Sequence, residues 1–77
     1  MRDERVSFER HPRDGELARD TSTGRVGRIV CQEVHTDRWT ERVTRRLVHL
    51  RPVGGGIEWT ADPSVLRPVT MPPGHGE

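Results

Sequence analysis

Apolar residues come in short clusters along this chain, separated by polar turns at strand-like spacing. Glu16-Leu17-Ala18-Arg19-Asp20 predicts a first short strand. Thr21-Ser22-Thr23-Gly24 predicts a tight turn after it, because hydroxyl side chains bond nearby backbone and glycine accepts positive φ. Arg25 to His35 carries Val26, Ile29, Val30 and Val34, β-branched residues that suit a pleated surface. Gly27 interrupts this second strand, as a glycine does at a bulge, a bend or a close backbone approach.

Residues 36–51 carry two competing patterns. On a helix, Trp39, Val43, Leu47 and Leu50 share one face, and Glu41 lies four residues before Arg45. As a strand, the segment alternates poorly. Its continuation decides for the strand. Leu47 to Val53 runs into Gly54-Gly55-Gly56 and then Ile57 to Thr60, two extended runs joined by a glycine turn. The strand is therefore placed from about Arg45, with a loop over 36–42. A short helical turn within 36–44 is the alternative. Asp62-Pro63-Ser64-Val65 predicts a single 3₁₀ turn, with Asp62 as its cap and proline in the first turn. Leu66 to Val69 then closes the chain's core as an edge strand, where Pro68 is tolerated.

Together these elements predict an all-β fold, a small five-stranded SH3-like barrel with one short 3₁₀ turn. Residues 1–13 hold four Arg, three acids and only Val6 and Phe8 after Met1, and are expected as a flexible tail. Residues 71–77, rich in proline and glycine, are expected as a second flexible tail. The barrel is placed over 14–70, which holds 14 of the 16 Val, Ile, Leu and Phe residues. That is 14 of 57, about 25%, above the roughly 20% below which chains tend towards disorder.

Charge narrows function little. Thirteen basic residues, all Arg, oppose twelve acids, for a net charge of +1. A dedicated nucleic-acid binder normally shows a clearer basic excess. No run of 18 apolar residues exists, so no membrane partner is expected, and the charged N-terminus is no secretory signal. A cytoplasmic location is the default. Cys31 is the only cysteine, so no internal disulfide can form.

Glu16-Leu17-Ala18-Arg19-Asp20-Thr21-Ser22-Thr23-Gly24-Arg25-Val26-Gly27 and Leu50-Arg51-Pro52-Val53-Gly54-Gly55-Gly56-Ile57-Glu58-Trp59 resemble a group of short proteins from high-GC actinobacteria. The shared pattern looks like ARDT-x-TGRVG, then LRPVGGG-x-EW, then a turn and LRP, over most of residues 15–69. The resemblance supports the small β fold and carries over no catalytic residue or cofactor.

Candidate chemistry concentrates in one stretch. Arg38, Arg42, Arg45, Arg46 and Arg51, with Trp39 among them, form the densest basic run. Arginines beside an aromatic can grip phosphates and stack a base, or anchor a protein partner. Trp59 is expected in the core, since the barrel segment has no Tyr or Phe. Cys31, His35 and His49 offer too few ligands for a structural zinc site, which wants four. Gly54-Gly55-Gly56 lacks the Lys-Ser/Thr of a phosphate loop. No Ser-His-acid arrangement or flanking carboxylate pair is recognisable, so neither catalysis, a cofactor nor a metal is expected. The expected role is a small, non-enzymatic module that binds a protein partner, with nucleic-acid binding through 38–51 as the alternative.

Overall fold

The structure is a computed structural model in which residues 3–69 are described. It contains β1 (Glu4–Glu9), β2 (Leu17–Asp20), β3 (Arg25–Asp37), β4 (Val43–Pro52), β5 (Trp59–Ala61), a 3₁₀ turn (Pro63–Val65) and β6 (Leu66–Pro68). All strands join one antiparallel sheet in the order β5-β4-β3-β2-β6, and β1 pairs separately with β3. The all-β expectation holds, but the five-stranded closed barrel does not. The sheet has six strands and stays open.

Two features separate this sheet from the expected barrel. The first is β1, which occupies part of the expected tail. β3 has 13 residues, and β2 covers only its first part, Arg25 to Arg28. The rest of that flank would leave a row of backbone groups without ladder partners. β1 fills it in regular register, from Glu4 opposite Asp37 to Glu9 opposite Gln32. The following segment is also fixed: Gly15 N donates to Ile29 O, and Ile29 N to Glu16 O. Residues 71–77 lie outside the described ones.

The second feature is the β3–β4 hairpin, which runs past the core as an arm. β3 continues to Asp37 and β4 starts at Val43, so the expected loop shrinks to 38–42, and neither the long helix nor a helical turn forms. The strand pattern was hard to read because it contains irregularities. Ile29 faces Leu50 while Cys31 faces His49, so Val30 is an extra residue. His35 faces Arg45 while Thr36 faces Val43, which makes Thr44 another. Each extra residue reverses the side-chain alternation.

Ala18, Ile29, Val48, Leu50 and Ala61 form the core, with Trp59, Val65 and Leu66 packed against it. Register puts Ala18, Gly27, Ile29, Leu50, Val48, Trp59 and Ala61 on one face. That face curls. Trp59 on β5 reaches across to β2, where its Nε1 donates to Asp20 Oδ2 at 3.0 Å. The indole lies against Gly27, where a Cβ would sit 2.7 Å from both the ring and Arg51 O. Gly27 is therefore a close-approach glycine, one of the three roles its place in the strand allowed. Arg25 stacks over the outer face of the ring at 3.9 Å. Trp59 is thus the half-buried wall of the core, in line with its expected structural role.

The two short connections also follow their sequence signals. Asp62 Oδ1 accepts from Ser64 N at 2.8 Å and Ser64 Oγ at 2.7 Å, capping the 3₁₀ turn. Those bonds hold its carboxyl below the usual range, with Arg45 adding attraction. The glycine turn is longer than a tight hairpin, because β5 begins only at Trp59. Gly54, Gly55 and Gly56 all have positive φ, at 88°, 99° and 119°, a run that other residues rarely adopt.

Candidate functional site

The basic stretch does not fold into one patch. Arg38, Trp39 and Arg42 stand at the tip of the arm, whereas Arg45 and Arg46 are consecutive strand residues and point to opposite faces. Arg46 Nη1 donates to Gln32 Oε1 at 3.4 Å. Arg51 lies at the far end of β4, where its guanidinium pairs with Glu58 at 3.1 Å. Arg38 pairs with Asp3 at 3.5 Å. Four of the six expected contact residues are thereby spread along the sheet or engaged with neighbours.

What the tip does build is a rigid mount for one tryptophan. Asp37 Oδ1 accepts from Trp39 N at 2.8 Å and Thr40 N at 3.1 Å. Glu41 N donates to Asp37 O at 2.7 Å, and Asp37 N to Arg42 O at 2.9 Å, closing the turn. Glu41 takes φ of 59°, the one non-glycine residue among the described ones in the left-handed region. Arg38 N also donates to Asp3 O at 3.1 Å, tying the turn to the segment before β1. On this fixed turn Trp39 is 82% exposed.

A second arrangement spans three strands on the side of the arm. His35 Nδ1 lies 2.8 Å from Glu4 Oε1, and its Nε2 lies 2.6 Å from Glu33 Oε2. The other Glu33 oxygen is 2.9 Å from His49 Nε2. Thr44 Oγ1 donates to Glu4 Oε2 at 3.2 Å, and Phe8 meets the His49 ring edge-on at 5.6 Å. Contact with Glu4 foremost, then Glu33, raises the His35 pKa, and when the ring is protonated both nitrogens donate to these carboxylates. Bonds from His49 and then His35 hold Glu33 below the usual carboxylate range.

This chain of bonds ties β1 to the hairpin. Sequence reasoning missed it by weighing His35 and His49 only as metal ligands beside Cys31 and placing Glu4 in a tail. The legible signal was Glu33-x-His35, which puts both side chains on one strand face. Among the described residues no group of three or more His, Cys, Asp or Glu is arranged to hold a metal ion. Cys31 is half-buried, and burial raises its thiol pKa, which keeps it protonated and a weak nucleophile.

A third feature is a half-open groove of about 280 Å³ between β2, β6 and the 10–16 segment. Ala18, Ile29, Val48 and Leu66 floor it, and Arg13 and Arg67 stand on its rim. Its floor is the core itself. No helix among the described residues is long and apolar enough to cross a membrane. Compared with protein families, curated proteins and solved structures, the chain matches none.

Proposed function

We propose that this chain is a non-enzymatic, cytoplasmic interaction module that binds a protein partner through the tip of its β3–β4 arm. The observation that carries the reading is Trp39, 82% exposed on a turn held by at least four hydrogen bonds. A large aromatic left in water forfeits burial worth about 2–3 kcal/mol. A rigid mount also lowers the entropy cost of inserting it into a partner's pocket. Tryptophan and arginine are the residues that most often dominate protein interfaces. Arg38 and Arg42 beside Trp39 favour a pocket with acidic residues on its rim.

Nucleic-acid binding is the weaker reading. Stacking on Trp39 suits it, but the arginines that would follow a phosphate backbone are distributed over both faces and both ends of β4. One experiment separates the two. The chain and its Trp39→Ala variant are used as baits in host lysate, with and without nuclease, at two salt concentrations. The expected result is a protein retained by the parent chain after nuclease treatment and lost by the variant. Retention that ends with nuclease supports the nucleic-acid reading instead, and retention unaffected by the variant contradicts the tip contact.

A further inference from the structure

The free edge of β1 is the longest regularly paired edge among the described residues. β1 pairs with β3 on one side and with no strand on the other among the described residues. Sheet edges are usually blunted by proline, bulges, inward charges or very short strands. β1 has neither proline nor bulge: its six residues pair without a register shift, and its Val6 and Phe8 are 45% and 66% exposed. Its charges Arg5 and Glu9 lie on the face of the buried Val34 and Thr36, where opposite charges on a pairing strand would offset them. The other open edges differ in kind: β5 and β6 have only three residues each, β6 ends on Pro68, and β4 before Val48 carries the Thr44 bulge and the consecutive charges Arg45 and Arg46.

The β1 sequence is complementary to itself. Two copies of a strand related by a twofold axis pair antiparallel, with the axis passing through one residue opposite its own copy. Centred on Ser7, that pairing sets Arg5 opposite Glu9, Val6 opposite Phe8, and the same pairs again by symmetry. Glu4, bonded to His35 and Thr44, falls opposite Arg10. The neighbouring registers lose this match. Centring on Val6 sets Glu4 against Phe8 and Asp3 against Glu9, and centring on Phe8 sets Val6 against Arg10 and Arg5 against His11. Parity is also right, because Arg5, Ser7 and Glu9 share one face and Val6 and Phe8 the other.

We infer that β1 is a homodimerisation edge, on which a second copy of the chain pairs antiparallel about Ser7 and continues the sheet across the twofold axis. The occupant is a copy of this chain because its own register supplies both charge pairs and both apolar pairs. Val6 and Phe8 gain cover from Phe8 and Val6 of the other copy, next to His49 and the Glu33–His35 chain. A single pair of short strands buries less than a standard interface, so the dimer belongs at the weak end, with a dissociation constant roughly in the micromolar range. The inference stands apart from the Trp39 contact, which lies at the arm's tip.

Sedimentation velocity of the full chain, over concentrations from about 1 μM to about 1 mM, reads this directly. A monomer–dimer equilibrium is expected. Arg5→Glu sets glutamates opposite each other and should weaken the dimer roughly tenfold or more, and Glu9→Arg should do the same with arginines. The double variant Arg5→Glu/Glu9→Arg restores opposite charges and should restore the dimer. That recovery would not follow from misfolding or from another register. In a Cys31→Ser background, Ser7→Cys should form an interchain disulfide on mild oxidation, because the two Ser7 Cα atoms lie within disulfide range in the proposed pairing. Arg5→Cys in the same background should not. Trp39→Ala should leave the dimer unchanged. A chain that stays monomeric over the whole range, or a dimer that Arg5→Glu does not weaken, overturns the inference.

Discussion

The two tryptophans divide the molecule into regions built on different principles. Trp59 lies across the curled half of the sheet, over Gly27, under Arg25, and bonded to a buried Asp20. Trp39 stands at the end of the arm with its ring in water. The curled half is held by apolar packing, with Val48 and Leu50 essentially inaccessible. The arm beyond it buries Val34 and Thr36 but is held mainly by ladder bonds, by the Glu4–His35–Glu33–His49 chain and by capping at Asp37. Packing gives stability and little exposed chemistry. An arm held by polar bonds leaves large side chains free to meet something else.

Substitutions in the curled half should show the largest effects. Trp59→Ala removes the wall of the core and orphans Asp20's bond, and should cost about 3–5 kcal/mol. A domain of this size has only roughly 4–12 kcal/mol in total, so its thermal transition by circular dichroism should broaden or vanish. An unchanged transition would break the distinction between the two tryptophans. Gly27→Ala comes next. Its Cβ meets backbone Arg51 O and the indole at 2.7 Å, an overpacking expected to cost about 1–3 kcal/mol in urea unfolding.

On the alkaline side the arm should respond to pH, through His35, where the core does not. His35 has a raised pKa, so its contribution is complete below the ordinary value of about 6.5 and is lost as pH rises through the higher folded value. Glu33 has a lowered pKa, so its contribution is complete above about 4.5 and is lost as pH falls through the lower folded value. Attachment of β1 is therefore strongest between about pH 4.5 and 6.5. Amide exchange of Arg5 to Glu9, corrected for the intrinsic pH dependence, should be slowest there. His35→Gln should remove the alkaline loss and leave global unfolding almost unchanged. Asp20 adds a separate acid sensitivity in the core. Ser22, then Trp59, lower its pKa, and that stability is lost as pH falls below the ordinary carboxylate range.

Trp39→Ala should have the smallest effect on folding, within about 0.5 kcal/mol, as expected for an exposed side chain. A larger loss would mean that the tip supports the fold rather than displays a contact.

The sequence made the curled half more legible than the arm, for a physical reason. Strong local signals announce the 62–65 turn and the 54–56 glycines, because each needs particular residues at particular backbone conformations, whereas Gly27 stands out without its role being settled among bulge, bend and close approach. β1 announces itself weakly. It has just two large apolar residues, and it becomes a strand because β3 outruns β2 and leaves a flank to fill. The arm was hidden by Val30 and Thr44, the extra residues that scramble alternation and let a helical pattern through. Of the expected contact residues, Arg38, Trp39 and Arg42 do meet at one place. Arg45, Arg46 and Arg51 are near in sequence but separate in space, because consecutive strand residues point apart and a ten-residue strand is long. Only the Glu4 end of the His–Glu chain depends on β1; the Glu33–His35 and Glu33–His49 bonds lie within β3 and β4.

Residue-resolved hydrogen exchange over a series of low urea concentrations tests the division between the halves most directly. It is measured where the chain is monomeric, at about pH 6. Amides of Ile29, Val48 and Leu50 should exchange only through global unfolding, with full dependence on urea. Amides of β1 and of the 36–43 end of the arm should exchange through smaller openings at lower free energy. Equal protection and equal urea dependence in both regions would contradict the account.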